Sequence, residues 1–108
     1  MDRKAQALYK LKADVIAAAG HPIRLAVIDF LKDGEQCVCD IAEYIDAKRS
    51  NVSRHLAVLL NAHVVSQRKD GLKVLYKLRT PCVLNFMRCV EGVLRENAEE
   101  AVKVLQGL

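Results

Sequence analysis

Apolar side chains recur with a helical period over the first third of the chain, and this pattern predicts two helices. The first spans residues 3–19, where apolar positions lie three or four residues apart: Leu8, Leu11, Val15, Ile16 and Ala19. Gly20 then provides a helix stop. Pro22 suits the first turn of a second helix, which we expect to bury its apolar face and to end before Gly34.

The helical pattern continues in the middle of the chain as two shorter segments. Residues 38–45 predict a short third helix, because their apolar positions are also three or four residues apart. A turn through residues 46–50 follows. Residues 51–62 then predict a fourth helix, with Ser50 or Asn51 able to cap its first amides. Its apolar residues form a single stripe: Val52, Leu56, Leu59 and Leu60.

The hydrophobic period then changes from helical to alternating. Apolar and polar residues largely alternate through residues 72–79, directly after Asp70-Gly71, which is a strong signal for a tight hairpin. We therefore expect a two-stranded ribbon here. Thr80 and Pro81 suit a helix cap and a first helical residue, and they open a long final helix to about Leu105. Its apolar set includes Phe86, Val90, Val93, Leu94, Ala101 and Val102.

Two helices joined by a short turn and followed by a basic hairpin describe a winged helix-turn-helix. The predicted fold is mainly α, with five helices and a two-stranded wing, in one domain over residues 1–108. The fourth helix is then the recognition helix, which enters the major groove of DNA. The first and last helices are amphipathic and too long to be buried in so small a domain, so we expect them to form a homodimer interface.

Composition restricts the class of protein. Apolar residues make up 52% of the chain and charged residues 28%, which is typical of a soluble globular protein. No apolar stretch reaches the length of a membrane span, and the N-terminal segment lacks the apolar region of a secretory signal, so we expect a cytoplasmic protein without membrane contact. The sequence shows no nucleophile, phosphate-loop or zinc-protease motif, so we predict neither an enzyme nor an organic cofactor.

Positive charge is concentrated in one part of the chain. Residues 48–79 hold eight Lys or Arg residues against one acid, a net charge of +7, whereas the rest holds nine basic and twelve acidic residues, a net charge of −3. This distribution indicates a surface that meets phosphates, and we predict operator DNA as the partner. The candidate DNA contacts are Lys48, Arg49, Ser50, Asn51, Ser53, Arg54, His55, Arg68, Lys69 and Lys73.

Cys37 and Cys39 stand at the start of the predicted third helix and offer two soft sulfur ligands. Such donors favour Zn(II), Cu(I), Cd(II) or trivalent arsenic over hard cations. Residues i and i+2 point to different sides of a helix, so we expect both sulfurs to reach one ion only if the helix start loosens. Ion capture would then disturb the support of the recognition helix. A direct disulfide is less attractive, because an extended i to i+2 pair spans about 6.6 Å.

Two further cysteines lie in the final helix. Cys82 follows Pro81 in the first turn, where free amides stabilise a thiolate, so it is a candidate reactive thiol. Cys89 lies seven residues later, about 10.5 Å along the axis, so the two cannot share one ion within a single helix. Either residue is a candidate third ligand for Cys37 and Cys39, the two could form a separate intersubunit site, or both could simply pack.

Three segments carry a family resemblance: Gly-His-Pro-Ile-Arg-Leu at residues 20–25, Cys-Val-Cys-Asp-Ile-Ala at 37–42, and Ser-Asn-Val-Ser-Arg-His-Leu-Ala-Val-Leu at 50–59. In this order, with the basic hairpin after them, they resemble the ArsR/SmtB family of metal-sensing repressors. The second segment is similar to the arsenical-resistance repressors. The resemblance implies a dimeric repressor that releases DNA when As(III) or Sb(III) binds Cys37 and Cys39.

This chain departs from the family pattern in two places. The best-known arsenical pattern has a third cysteine where Ala42 stands, and no histidine beyond His63 is present for the family's zinc site on the last helix. The alternatives are therefore a sensor of Cd(II), Pb(II) or Zn(II) on the same fold, a thiol-based redox or reactive-sulfur switch that uses Cys82 or Cys89, and a constitutive DNA binder whose cysteines only pack.

Overall fold

The computed structural model describes residues 1–108 and contains five α-helices and a three-stranded antiparallel sheet. In chain order these are α1 (Arg3–Ala19), α2 (Pro22–Phe30), β1 (Gln36–Cys37), α3 (Val38–Ile45), α4 (Arg49–Asn61), β2 (Val65–Asp70), β3 (Lys73–Leu78) and α5 (Cys82–Gln106). A short 3-10 turn, Leu31–Asp33, follows α2. The predicted mainly α winged helix-turn-helix with five helices is confirmed.

The wing has three strands, so the prediction of two strands was wrong. The strand order is β1–β3–β2, with Gln36 opposite Tyr76 and Cys37 opposite Leu75. A strand of two residues is too short to show an alternating pattern, and only its pairing with β3 reveals it. As a result Cys37 is at once the last residue of β1 and the residue directly before α3.

The hairpin itself forms as its sequence predicts. Asp70 pairs with Lys73, so Gly71 and Leu72 make a two-residue loop between β2 and β3. Gly71 has a φ of 63°, in the left-handed region that favours glycine. The basic residues Arg68, Lys69 and Lys73 therefore lie on the two strands close to this loop.

The predicted caps of two helices differ from those observed. Lys48 precedes α4 without a side-chain cap, so Ser50 and Asn51 lie inside the first turn of that helix. Pro81 likewise lies directly before α5, without a side-chain cap, and Cys82 is the first residue of that helix. The Thr80 hydroxyl instead donates to the Val64 carbonyl oxygen at 3.5 Å, because tertiary contact with the start of the wing competes with local capping.

One buried cluster holds the recognition helix against the rest of the fold. The apolar stripe of α4 packs with residues of α2, the following 3-10 turn, α3 and the wing. Its most deeply buried members are Val27, Ile28, Leu31, Ile41, Val52, Leu56, Leu59, Val64 and Val65. The opposite face of α4 is left at the surface, which is the arrangement that a DNA-reading helix requires.

The two long helices contribute little to this core. In α1 only Ala18 and Ala19 are buried, and α5 has no buried residue. Val83, Leu84 and Met87 at the start of α5 pack on the core, and the rest of that helix leaves it. Large apolar side chains on both helices are exposed: Leu8, Leu11, Ile16, Phe86, Val90, Val93, Leu94, Val102, Val104 and Leu105. No helix combines the length and apolar character needed to cross a membrane.

The role of the α4 stripe in stability can be tested with two leucines of opposite burial. Leu56 is fully buried and Leu72 at the hairpin loop is fully exposed. Leu56→Ala should lower the free energy of unfolding by about 2 to 5 kcal/mol, through lost burial and the cavity left behind, whereas Leu72→Ala should change it by less than about 0.5 kcal/mol. Urea denaturation followed by circular dichroism measures both. Equal losses would contradict the assigned core.

Candidate thiol site and nucleic-acid interface

The change from strand to helix brings the sulfurs of Cys37 and Cys39 together. Cys37 has an extended backbone, with φ −79° and ψ 159°, and Cys39 is the second residue of α3. Their Cα atoms are 5.4 Å apart and the two residues form a disulfide. The expectation that a direct disulfide is unattractive was wrong, because it assumed that the whole segment is extended.

The same geometry corrects the expected conflict between ion capture and the third helix. Because Cys37 lies outside the helix and Cys39 inside its first turn, the sulfurs face each other while α3 is intact. The helix start need not unwind to present both. Reduction of the disulfide would leave two thiols already positioned for one ion.

The Cys37 sulfur also caps α3. The backbone amide of Asp40 donates to Cys37 Sγ at 3.4 Å, in the place that a serine or aspartate oxygen usually takes. A negatively charged sulfur at this end of a helix is stabilised by the free amides and the helix dipole. Cys37 is only 4% exposed, whereas Cys39 is half-buried and Asp40 is exposed. The site is therefore open to solvent on the side of Cys39 and Asp40.

One group of side chains in the protomer has the proximity of a metal site, and Asp40 is its third member. The ligand atoms of Cys37, Cys39 and Asp40 all lie within 4.8 Å of one another. Cys82 and Cys89 are exposed on α5 and do not belong to this group. Within one protomer the donors available to an ion are thus two sulfurs and one carboxylate, and neither candidate third cysteine is brought to them.

The surface face of α4 carries most of the predicted DNA contacts. Five of them are exposed on this helix: Arg49, Ser50, Asn51, Ser53 and Arg54. Lys48 is exposed directly before it. The Arg54 guanidinium donates to the side-chain oxygen of Asn51 one turn earlier. These positions are compatible with base and phosphate contact, and their roles stay predictions.

His55 differs from the other candidates on α4 because it is half-buried. Its ring lies 4.6 Å from the ring of His21, measured between centroids, and its Nδ1 lies 3.4 Å from Nη1 of Arg24. Desolvation lowers the pKa of His55 below its ordinary value, and the neighbouring His21, Arg24 and Arg54 side chains act in the same direction. His21 caps the start of α2, since its Nδ1 accepts from the Ile23 amide at 3.1 Å.

In the wing, Arg68 has a carboxylate partner that the sequence does not reveal. Its Nε donates to Glu35 Oε2 at 2.8 Å, and its Nη2 donates to Glu35 Oε1 at 3.3 Å. The hydrogen bond from Arg68 lowers the pKa of Glu35, and the hydrogen bond to Glu35 raises the pKa of Arg68. Lys69 and Lys73 are exposed without such a partner. The three wing cations are therefore not equivalent.

Sequence reasoning missed Asp40, Glu35 and Arg24. Asp40 had a local signal, because it directly follows Cys39, but a carboxylate beside a cysteine is common and the family resemblance points to a third sulfur instead. No local signal pointed to Glu35 or Arg24. The Glu35–Arg68 contact joins residues 33 positions apart, and the Arg24–His55 contact joins residues 31 positions apart.

Comparison with known proteins agrees with this architecture. The family model described as "Bacterial regulatory protein, arsR family" matches residues 21–67. The arsenical resistance operon repressor of Staphylococcus xylosus is 33% identical over 70 residues, which are 65% of this chain and 67% of that protein. The cadmium resistance transcriptional regulatory protein CadC of Listeria innocua is 42% identical over 65 residues, 59% of this chain and 55% of that protein.

A solved structure extends the similarity to the whole fold. It is the homodimeric winged helix-turn-helix DNA-binding domain of a possible ArsR-family transcriptional regulator from Mycobacterium bovis. The two chains superpose with a TM-score of 0.77 at 26% identity, over 93% of each. The matched segment of the family model runs from His21 at the start of α2 to Gln67 in the wing, and so contains the thiol pair and all of α4. This chain is therefore a member of the arsR family, a transcriptional regulator with a DNA-binding winged helix-turn-helix.

Proposed function

We propose that this protein is a homodimeric repressor that releases its operator when Cys37 and Cys39 capture trivalent arsenic or antimony. The observation that carries the proposal is the convergence of the two sulfurs at the start of α3, the helix that packs beside α4. Soft sulfur donors select thiophilic ions. Their location inside the helix-turn-helix, rather than on a remote surface, supports a link between ion capture and DNA release.

Which ion binds depends on the third ligand, because two sulfurs alone suit several thiophilic ions. Two thiolates leave one position open on a trigonal As(III) or Sb(III), and Cys82 or Cys89 from the second subunit is the sulfur that could fill it. Asp40 instead offers a hard oxygen next to the thiol pair, which suits Cd(II), Pb(II) or Zn(II) better than arsenic. Removal of the Asp40 carboxylate should therefore separate these two ion classes.

The coupling between ion capture and DNA release passes through Cys37. This residue pairs with Leu75 of the wing and its sulfur caps α3, so its position is shared by the wing and by the helix that packs beside α4. An ion on Cys37 Sγ would compete with the Asp40 amide for the same sulfur, and loss of this cap would disturb the start of α3 and the adjoining end of β1. A ligand that favours the disturbed arrangement by roughly 1 to 3 kcal/mol is sufficient to change operator occupancy.

The dimer forms through the exposed apolar faces of α1 and α5. These helices have few buried side chains of their own, yet they expose a continuous series of large apolar residues. Exposed apolar surface on this scale marks an interaction site. A two-fold dimer places two copies of α4 in successive major grooves of a palindromic operator.

A second candidate is a redox switch, and the Cys37–Cys39 disulfide is the observation that favours it. A peroxide would take two electrons and two protons from the dithiol and be reduced to water and an alcohol or a second water. The oxidised pair has no thiolate to offer, so oxidation and ion capture exclude each other at this site. The switch is thus assigned to Cys37 and Cys39 rather than to the cysteines of α5.

The inducer can be tested in reductant with a duplex selected by the wild-type protein from a random pool, termed here the selected duplex. Arsenite should weaken binding to it about 5- to 150-fold, the range of an ordinary coupling free energy. Cys37→Ser and Cys39→Ser should each abolish this effect, because a serine oxygen is a poor arsenic ligand. Fluorescence anisotropy measures the dissociation constants.

Two controls complete this experiment. Cys82→Ser and Cys89→Ser should weaken the arsenite response only if α5 supplies the third sulfur, and Asp40→Asn should weaken the response to Cd(II) but not to arsenite. If Cys37→Ser responds to arsenite as the wild type does, the assigned site is wrong. Release by peroxide alone, reversed by dithiothreitol and absent without Cys37, would favour the redox switch instead.

The dimer interface is tested by placing a carboxylate at two exposed positions of α5. Val90→Glu replaces one of the exposed apolar side chains, and Arg95→Glu replaces a side chain that is already charged. The first should raise the dimer dissociation constant at least about tenfold, because the charge must be desolvated, and the second should leave it within about threefold. Sedimentation equilibrium measures the mass. Intact dimers of Val90→Glu would exclude α5 as the interface.

The Glu35–Arg68 pair leads to a separate prediction about the wing. Glu35→Gln frees Arg68 for phosphate contact, so affinity for duplex DNA should rise up to about fivefold, and the slope of log affinity against log salt should steepen by about 0.9. In an Arg68→Gln background the same change should leave the slope unaltered. Asp29→Asn, which removes the carboxylate paired with Lys32, is the control for a general charge effect. An unchanged slope in Glu35→Gln alone would show that Arg68 is already free to bind phosphate.

A further inference from the structure

Three helices meet at a small polar network around His55. Arg24 of α2 donates through Nε to the Ala18 carbonyl oxygen of α1 at 2.6 Å, and through Nη1 it reaches Nδ1 of His55 on α4 at 3.4 Å. The His55 ring also lies against the ring of His21, tilted by 41° at a centroid distance of 4.6 Å. This network joins the recognition helix to the corner between α1 and α2.

The hydrogen bonds determine which ring nitrogens carry protons. A guanidinium can only donate, so Nδ1 of His55 must accept and be unprotonated. Nδ1 of His21 accepts from the Ile23 amide and must also be unprotonated. The His55 imidazole is therefore neutral, with its ring proton on Nε2. Protonation of either Nδ1 would remove an acceptor from this network.

The surrounding charges also favour the neutral form of His55. The groups that act on it are His21 directly before α2, Arg24 on α2 and Arg54 on its own helix, and none of these is a carboxylate. From α1 the network receives only the Ala18 carbonyl, through Arg24. A proton on His55 would thus add a positive charge beside two arginines. This setting differs from that of a histidine which binds DNA phosphate as a cation.

We infer that His55 is a positioning residue for DNA reading: its neutral ring, held by Arg24 and in contact with the His21 ring, sets the orientation of α4 on the α1–α2 corner. The remaining candidates on α4 then make the base contacts. This inference rests on DNA reading by α4 and is independent of which ion or oxidant induces release. It also assigns Arg24, which sequence analysis did not select, to the DNA-binding function.

Two substitutions of His55 distinguish positioning from direct contact. An asparagine amide can place an oxygen where Nδ1 stands and so keep the acceptor for Arg24, whereas a glutamine amide reaches the position of Nε2, the nitrogen left for DNA. His55→Asn should bind the selected duplex within about threefold of the wild type, and His55→Gln should bind about tenfold more weakly. Both should bind an unrelated duplex as the wild type does, because phosphate contact does not need the base-reading orientation.

Acidification provides an independent readout. Wild-type affinity for the selected duplex should fall as the pH is lowered below the ordinary histidine pKa and His55 gains a proton, and this fall should be smaller in His55→Asn. Without DNA, the free energy of unfolding of the wild type should also fall on acidification, and that of His55→Asn should fall less. Because the folded state lowers the pKa of His55, its contribution is complete above the ordinary histidine value and is lost as the pH falls through the lowered one.

The opposite results would overturn the inference. If His55→Gln keeps full affinity while His55→Asn loses it, Nε2 contacts DNA directly. If wild-type affinity rises on acidification and His55→Asn abolishes that rise, His55 binds phosphate as a cation. An identical pH dependence of unfolding in the wild type and His55→Asn would show that the network does not depend on the neutral ring. No thiophile is present in any of these measurements, so a failed metalloid response does not affect them.

Discussion

Burial of one face of α4 is the constraint on which the DNA-binding architecture depends. Val52, Leu56 and Leu59 are removed from water only when α2, α3 and the wing surround them, and the same packing leaves the basic and amide side chains on the other face of the helix exposed. Stability and DNA presentation therefore come from a single arrangement. A shift in any element that packs on α4 therefore also moves the exposed face of this helix, since a close-packed interior transmits small displacements.

Polar contacts refine this packing at the two ends of the DNA-binding surface. His55 and Arg24 tie α4 to the corner between α1 and α2, and the Glu35–Arg68 pair ties the wing to the segment that leads into Cys37. Neither contact is worth much as a source of stability, because exposed ion pairs and single hydrogen bonds contribute little net free energy. They act on orientation instead: the Glu35 contact directs the Arg68 side chain, and the Arg24–His55 contact directs α4.

Cys37 connects the proposed sensor to the wing and to α3, the helix that packs beside α4. Its backbone belongs to the wing sheet and its sulfur caps α3, so capture of an ion or formation of a disulfide acts on two elements through one residue. This differs from a mechanism in which α3 must first unwind. The departures from the family pattern are consistent with a site of two sulfurs and one carboxylate, which a second subunit completes or leaves open.

The helices, the hairpin loop at Gly71 and the concentration of basic charge could be predicted from the sequence, because local periodicity, turn chemistry and composition depend on neighbouring residues. The sequence also indicated Cys37 and Cys39 as a pair. The folded chain was needed to show that a third strand ends at Cys37, that the two sulfurs meet without unwinding α3, and which partners Arg68 and His55 have. These features join residues distant in the chain or depend on a backbone change between two adjacent residues, and neither leaves a periodic signal.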